Sequence, residues 1–289
     1  MTVRPVLDIG LCAQVACIWE ATARKPGNVH RYQDFADTTY LDFVLSAAAV
    51  APVLATAPER RVGDTILACV QATRQVVSRN TNLGIILLLA PLAAVPPREE
   101  LRSGVERVLS QLDVADSRAV FAAIRLAQPG GLGQVGDQDV ASEPTLPLRV
   151  IMALAADRDR VARQYIKGFH DVFTKALPAL RRGLELGSLE EAIIYCHLRL
   201  LAQFPDSLIT RKRGLEEAEA TRRRAQAVLN LGWPKTEYSR SLLADFDAWL
   251  RADGNGRNPG TSADLVTATL FVALREGILK AGDWRSEAV

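Results

Sequence analysis

Apolar positions recur along the chain at three- and four-residue intervals, while runs of alternating β-branched residues are scarce. That period lines apolar side chains along one face of a helix. It predicts helices near 6–23, 39–56, 63–79, 83–94, 98–111 and 114–127. After a break it predicts others near 147–156, 158–182, 188–204, 214–230, 239–252 and 262–281. The expected fold is all-α: one compact multi-helix bundle, a single domain over 1–289, with functional loops between helices. No internal repeat, low-complexity tract or linker interrupts the pattern. The first helix, "VLDIGLCAQVACIWEATA", should stop at "RKPGN", where Pro and Gly break it. The break at 128–147, "QPGGLGQVGDQDVASEPTLP", is long for a bundle, and such loops are commonly functional or disordered. The most apolar run, "LGIILLLAPLAAV" at 83–95, falls short of the ~20 residues that span a bilayer. It reads as a core helix, in a monomer interior or in the seam of a homodimer.

Composition narrows the classes of function. The chain has 289 residues, of which 48% are hydrophobic and 24% charged, enough to bury a sizeable core. Its 35 basic and 33 acidic residues leave a net charge of +2. Such balance supplies no global field for nucleic acid or for an anionic membrane surface. Cys12, Cys17, Cys69 and Cys196 form no CxxC pair and sit in helical patterns, as buried thiols of a reducing compartment would. No basic region followed by a long apolar stretch marks a signal peptide, and the expected location is the cytoplasm. Only His30, His170 and His197 are present, without HExxH spacing, which argues against zinc. A P-loop and a Gly-x-Ser-x-Gly elbow are both missing from the sequence.

Candidate chemistry gathers in the breaks between helices. In "EATARKPGNVHR", Lys25-Pro26-Gly27-Asn28 fits a type II turn. As structure it ends a helix. As function it crowds Lys25, Asn28, His30 and Arg31 beside Glu20, with Gly27 open to a close ligand and Lys25 suited to phosphate. In "NTNLG", Thr81 or Asn82 could cap the following helix; Asn80 and Asn82 could also flank an anion at its free amides. "GLGQVGDQDVASE" contains Gly131, Gly133 and Gly136 at dinucleotide-fingerprint spacing, but no strand precedes them, so that reading is rejected. What remains is a solvated acidic loop, or a cation site using Asp137, Asp139 and Glu143. "FPDSLITRKRG" reads as a solvated basic turn, or as Arg211 and Lys212 on a polyphosphate with Asp206 on a metal or hydroxyl. In "NPGTSADL", Thr261 and Asp264 match a capping box. Yet Asp264 in a first turn would oppose a bare anion, whereas a phosphate accompanied by Mg²⁺ suits Asn258, the Gly260 amide and Asp264 together.

Taken in order, "EATARKPGNV" at 20–29, "NTNLG" at 80–84, "PDSLITRKRG" at 205–214 and "NPGTSADL" at 258–265 resemble the triphosphoribosyl-dephospho-coenzyme A synthase family. The resemblance covers about 260 residues. It implies an all-α enzyme that joins ATP to 3′-dephospho-coenzyme A, releases adenine and leaves a triphosphoribosyl group on a ribose 2′-hydroxyl. The family's second motif usually reads Asn-Thr-His-Lys-Gly; here Asn82 and Leu83 stand in place of His and Lys. The chain thus looks like a divergent branch, of a kind associated with one-carbon cofactor gene sets.

The expectation is an ATP-dependent, Mg²⁺-dependent transferase acting on small-molecule nucleotides. Lys25, Gly27, Asn28, Asn80, Asn82, Arg211, Lys212, Asn258 and Gly260 would hold the nucleotide. Asp264, with Asp139 or Asp206, would hold Mg²⁺. Glu20, Asp206 and Asp264 are the candidate catalytic carboxylates, one of them taking the proton of the attacking hydroxyl. The alternatives are another cofactor-biosynthesis enzyme on the same scaffold, with a phosphorylated substrate, and a non-catalytic helical binding protein whose polar breaks lie far apart.

Overall fold

The structure, a computed structural model, describes residues 8–129 and 139–284. Regular structure among these is helical, and a single isolated bridge pairs His30 with Gln33. The helices are α1 (Ile9–Thr22), α2 (Tyr40–Ala55), α3 (Val62–Val76), α4 (Leu83–Ala93), α5 (Leu101–Ser110), α6 (Val114–Ala127) and α7 (Leu148–Ala155). They continue with α8 (Arg160–Ile166), α9 (Leu177–Leu186), α10 (Leu189–Gln203), α11 (Ser207–Arg213), α12 (Leu215–Asn230), α13 (Glu237–Arg251) and α14 (Gly260–Arg275). A 3-10 turn at Ala57–Glu59 and a π-helical segment at Val172–Ala176 complete the set.

Local sequence fixes most starts. Capping boxes open α2 at Thr39 and Asp42, α6 at Asp113 and Asp116, and α10 at Ser188 and Glu191. In each, the two side chains reciprocally satisfy otherwise unpaired amides of the first turn. Asp8, Asp159 and Asp206 cap α1, α8 and α11 singly.

Two predicted elements differ. The continuous helix expected over 158–182 is broken after α8, where Gly168 and Phe169 both take φ of +57°. Phe169 tolerates this left-handed geometry because its ring is fully buried against Tyr165, with centroids 6.3 Å apart. The chain resumes through the π-helical segment into α9. The basic stretch after Asp206, expected as a turn, is instead the helix α11.

At the centre lies α14, in contact with α1, α4, α8, α9, α10, α11 and the π-helical segment. Between Thr261 and Leu274 every residue of α14 is buried except Asp264. Buried Thr267 and Thr269 return their hydroxyls to the Ala263 and Leu265 carbonyls, so the interior position leaves neither unpaired. Helix α4 is likewise buried throughout except at Gly84. Each of its fully buried Leu and Ile side chains contributes about 1.5–3 kcal/mol. The run 83–95 is therefore core within this chain. A smaller cluster of Ile194, Leu198, Trp233, Phe246 and Leu250 ties α12 and α13 onto α10. No helix among the described residues is long and apolar enough to cross a membrane.

Candidate active site

The two exceptions in the central helices touch. A β-carbon placed on Gly84 would lie 2.6 Å from Asp264 Cγ and closer still to Oδ2. The glycine of "NTNLG" thus makes the room that the aspartate of "NPGTSADL" occupies, and both reach the surface where the surrounding core is closed. The Asp264 carboxylate makes no hydrogen bond or ion pair among the described residues. Burial raises its pKa well above the usual carboxylate range, and the charges of Glu20, Asp206 and Asp159 push the same way; Arg211 alone opposes them. The charges of three carboxylates from separate elements thus act on Asp264, two of them paired with a cation, Glu20 with Lys25 and Asp159 with Arg211.

Glu20 comes from the last turns of α1 and is buried. Its Oε1 lies 2.8 Å from Lys25 Nζ. The Lys25 ammonium also donates to the Glu20 carbonyl and, at 3.4 Å, to the Ala23 carbonyl. All three of its N–H groups are spent inside the chain, on an ion pair and on the open carbonyls of a helix C-terminus. Lys25 was expected on a phosphate; fully buried, it is turned inward instead and holds Glu20 in place. The turn that allows this is the expected one: Gly27 has φ of +77°, and the Asn28 amide reaches the Lys25 carbonyl at 3.3 Å. His197 of α10 is buried against the same turn, beside the Pro26 backbone. Burial and the Lys25 charge hold it neutral, far below its usual pKa.

Asp206 joins two helix starts. Its Oδ1 accepts from the Leu208 and Ile209 amides of α11 at 2.9 and 3.2 Å. Its Oδ2 accepts from the Ser262 amide and hydroxyl of α14 at 2.8 and 2.7 Å. Burial raises its pKa against the downward pull of these bonds. With both oxygens engaged, its geometry is that of a pin between α11 and α14 rather than of a metal ligand or a base. The capping box expected of Thr261 and Asp264 does not form, because α14 begins two residues earlier, at Gly260, with Pro259 at its cap. The role passes to Asp206, distant in sequence, which frees Asp264 to face outward.

The first and last motifs also meet directly. Asn28 Nδ2 donates to Asn258 Oδ1 at 2.7 Å. A side chain on Gly27 would collide with Leu250 and Pro259, and one on Gly260 with Leu208. Asn28 and Gly27 are further held by α13: Arg251 donates to the Asn28 carbonyl, and Asp247 Oδ1 accepts the Gly27 amide at 2.7 Å.

In the second motif Asn82 holds the N-cap position of α4, as expected, but its side chain makes no cap hydrogen bond. Asn80 Oδ1 accepts the Leu83 amide at 3.1 Å, Thr81 shares a hydrogen bond with Ser46, and Asn82 donates to Thr73. Asn82 is buried, so it supports α4 from within instead of flanking an anion.

Arg211 pairs with Asp159 at 2.5 Å. Lys212 donates to the Asn255 carbonyl at 3.2 Å, and burial lowers its pKa. Asp139 accepts the amide of Ala141 within its own turn at 2.8 Å. Gly131, Gly133, Gly136 and Asp137 lie outside the described residues.

The sequence reading missed Asp159. Its signal was an Asp directly before an apolar-periodic helix, which reads as a cap and is one: Oδ1 accepts the Val161 amide at 2.8 Å. Its second oxygen, on Arg211, is what adds it to the site.

Does this donor set fit Mg²⁺? No cluster of three or more His, Cys, Asp or Glu among the described residues is placed to hold an ion by itself. Mg²⁺, however, is commonly bound by one or two carboxylates together with substrate phosphates and water. Asp264, unpaired amid three other carboxylates, fits that mode, because a cation arriving with phosphate relieves its repulsion.

Comparison with known proteins agrees with this assembly of motifs. A profile of the CitG family, described as ATP:dephospho-CoA triphosphoribosyl transferase, matches residues 7–282. A probable 2-(5''-triphosphoribosyl)-3'-dephosphocoenzyme-A synthase of Pseudomonas savastanoi pv. phaseolicola is 29% identical over 158 residues, covering 54% of this chain and 53% of the relative. Its namesake in Azotobacter vinelandii is 33% identical over 124 residues, 42% of each chain. The chain thus spans about half the length, or less, of the curated relatives it matches. A crystal structure of a candidate triphosphoribosyl-dephospho-coA synthase from Archaeoglobus fulgidus superposes with a TM-score of 0.62 at 26% identity, covering 80% of this chain and 98% of that one. With nearly its whole length matched and the same fold in a solved relative, the chain belongs to the CitG family.

Proposed function

We propose that this protein transfers the triphosphoribosyl group of ATP to the ribose 2′-hydroxyl of 3′-dephospho-coenzyme A and releases adenine. Family membership supports the substrates. The observation that carries the site is the contact of Asp264 with Gly84, both partly exposed in otherwise buried stretches of helix, where the charges of Glu20, Asp159 and Arg211 also act.

In this reading Glu20 is the general base. Lys25 fixes Oε1, and no hydrogen bond among the described residues engages Oε2, which remains to accept the proton of the 2′-hydroxyl. As the C1′–N9 bond of ATP breaks, positive charge grows on the ribose, and a surround of carboxylates lowers its energy, as in glycoside chemistry. The O2′–C1′ bond forms, adenine leaves with the electrons of the old bond and takes a proton from water, and Glu20 returns the proton of the hydroxyl to solvent. Arg211 offers a planar guanidinium to the triphosphate, exchanging Asp159 for phosphate oxygens. Asp264 would hold the cation. Bound Mg²⁺ would neutralise triphosphate charge and allow it to lie beside Asp264, Glu20 and Asp159.

Incubation with ATP, Mg²⁺ and 3′-dephospho-coenzyme A, followed by mass spectrometry, tests the proposal. Free adenine and a product heavier by the triphosphoribosyl group support it. A second reading keeps the scaffold and changes the reaction, to another step of cofactor biosynthesis on a phosphorylated substrate. It draws on Asn82, which is buried on Thr73 where the family's usual motif has His, and on Leu83 in place of Lys, so a cation and an acid/base group are missing from the helix start. ADP, AMP or pyrophosphate as the product, with no adenine, favours that reading.

A further inference from the structure

The segment from Arg24 to Tyr32 carries chemistry that the transfer as described does not use. Where Lys25 turns inward, Arg24 turns outward. Its Nε and amide donate to Glu190 Oε1 at 2.9 and 3.1 Å, and its NH2 to Oε2 at 3.2 Å. Arg31 NH2 meets the same Oε2 at 2.9 Å. One carboxylate at the start of α10 therefore fixes two guanidiniums. Both lie against the Tyr32 ring, with Cζ 5.6 Å (Arg24) and 4.8 Å (Arg31) from its centroid. Arg31 also lies 5.7 Å from the Trp284 ring, which rests on Trp19 at 6.3 Å. The His30 ring meets Tyr32 edge-on at 6.4 Å.

Tyr32 is nevertheless 68% exposed, so the two cations leave much of its ring open. The Nε of Arg31 is buried and has no partner. Glu190 is shared between the two arginines, and His30 adds no charge at neutral pH: burial, together with Arg251, Lys25 and Arg24, lowers its pKa to about 4. An open aromatic face beside pre-placed guanidiniums suits a base with phosphate attached. Any base can stack on such a ring, and guanidiniums recognise phosphate oxygens in pairs. The cluster is also close to the reaction centre. Arg24 and Lys25 are adjacent in sequence, and the His30 ring beside Tyr32 feels the Lys25 charge.

We propose that Tyr32, Arg24 and Arg31 form the seat for the base and diphosphate of the acceptor nucleotide. This rests on the transferase reading, which requires a second adenine nucleotide beside ATP, and it assigns that nucleotide to residues other than those around Asp264. The test uses the full chain. Calorimetry would measure binding of 3′-dephospho-coenzyme A and, separately, of ATP with Mg²⁺, to the parent protein and to Tyr32→Ala, Tyr32→Phe and Arg24→Met. The expected result is at least tenfold weaker acceptor binding in Tyr32→Ala, near-parental binding in Tyr32→Phe, and ATP affinity within twofold throughout. Equal losses for both nucleotides would overturn the assignment to the acceptor. Unchanged acceptor binding in Tyr32→Ala, or no acceptor binding by the parent, would overturn the seat itself. The two readings fail separately. Tyr32-dependent acceptor binding without adenine release sinks the transfer and leaves the seat. Adenine release with an unchanged acceptor KM in Tyr32→Ala does the reverse.

Discussion

The Asp264 carboxylate occupies the space that a side chain on Gly84 would fill. Gly84→Ala would push that carboxylate aside. Because only the end of a short side chain must move, the fold should tolerate the change while the site does not. Turnover is expected to fall at least tenfold, with a melting temperature close to that of the parent, measured by adenine release and calorimetry on the same preparation. Parental turnover in Gly84→Ala would show that the Asp264 position is immaterial.

Asp264 also sets a pH dependence. Its folded pKa lies well above the ordinary aspartate value of 3.8, chiefly through burial. The unfolded chain therefore loses this proton first as pH rises, and folded stability declines from about pH 4 upward, through the raised folded pKa. Asp264→Asn removes that decline, so the variant should be at least as stable as the parent at pH 7 and yet inactive. Urea midpoints at pH 5 and pH 8 provide the check. Mg²⁺ with ATP should raise the parent's melting point and leave that of Asp264→Asn unmoved, since only a ligand that binds the folded state stabilises it.

Lys25 and Glu20 are a buried ion pair, 0% and 4% exposed at their side chains. Lys25→Met would strand a buried carboxylate, a loss of roughly 3–5 kcal/mol. Adding Glu20→Gln should recover most of it. A denaturant series on the two single variants and the double variant measures this coupling. Additive losses would mean that the pair is not coupled as the geometry requires.

Asp206 caps α11 through one oxygen and α14 through the other. Each cap is worth about 0.5–2 kcal/mol, so Asp206→Ala should destabilise by more than a single helix cap. Asp206→Asn retains one acceptor and should fall between. If Asp206→Ala folds with parental stability but cannot turn over substrate, the pin assignment is wrong and the carboxylate acts on substrate.

His30 lowers stability in acid. Its folded pKa of about 4 lies below the ordinary 6.5. The unfolded chain takes up this proton first, so the His30 contribution is complete above pH 6.5 and is lost as pH falls towards 4. His30→Gln should lose less stability than the parent between pH 7 and pH 4.5, followed by urea denaturation at each pH.

Most helices were legible from periodicity because burial of one face is a local, repeating demand on sequence. The exceptions show where that demand gives way. The Gly168–Phe169 break lies in a helical pattern, and only packing of the Phe169 ring against Tyr165 selects the left-handed turn. α11 was hidden because it spans only Ser207–Arg213 and ends in three cations; a cap shared with α14 supports it. At the site, the breaks that carry candidate residues were readable, since polar residues beside Gly and Pro stand out from an apolar chain. Their directions were not. Lys25 and Arg24 are neighbours with the same charge, yet one is buried on Glu20 and the other faces Glu190. Asp264 and Asp206 both sit at helix starts, yet one is free and the other fully engaged.

What the sequence alone determined is therefore the helical character, the positions of the breaks and the family resemblance, all of which depend on residues near one another along the chain. What the tertiary structure decided is which charged groups are spent on the fold and which are left for a ligand. That division depends on partners far away in sequence, such as Asp206 with Ser262 and Gly84 with Asp264, and a charge becomes available for chemistry only when no such partner has already satisfied it.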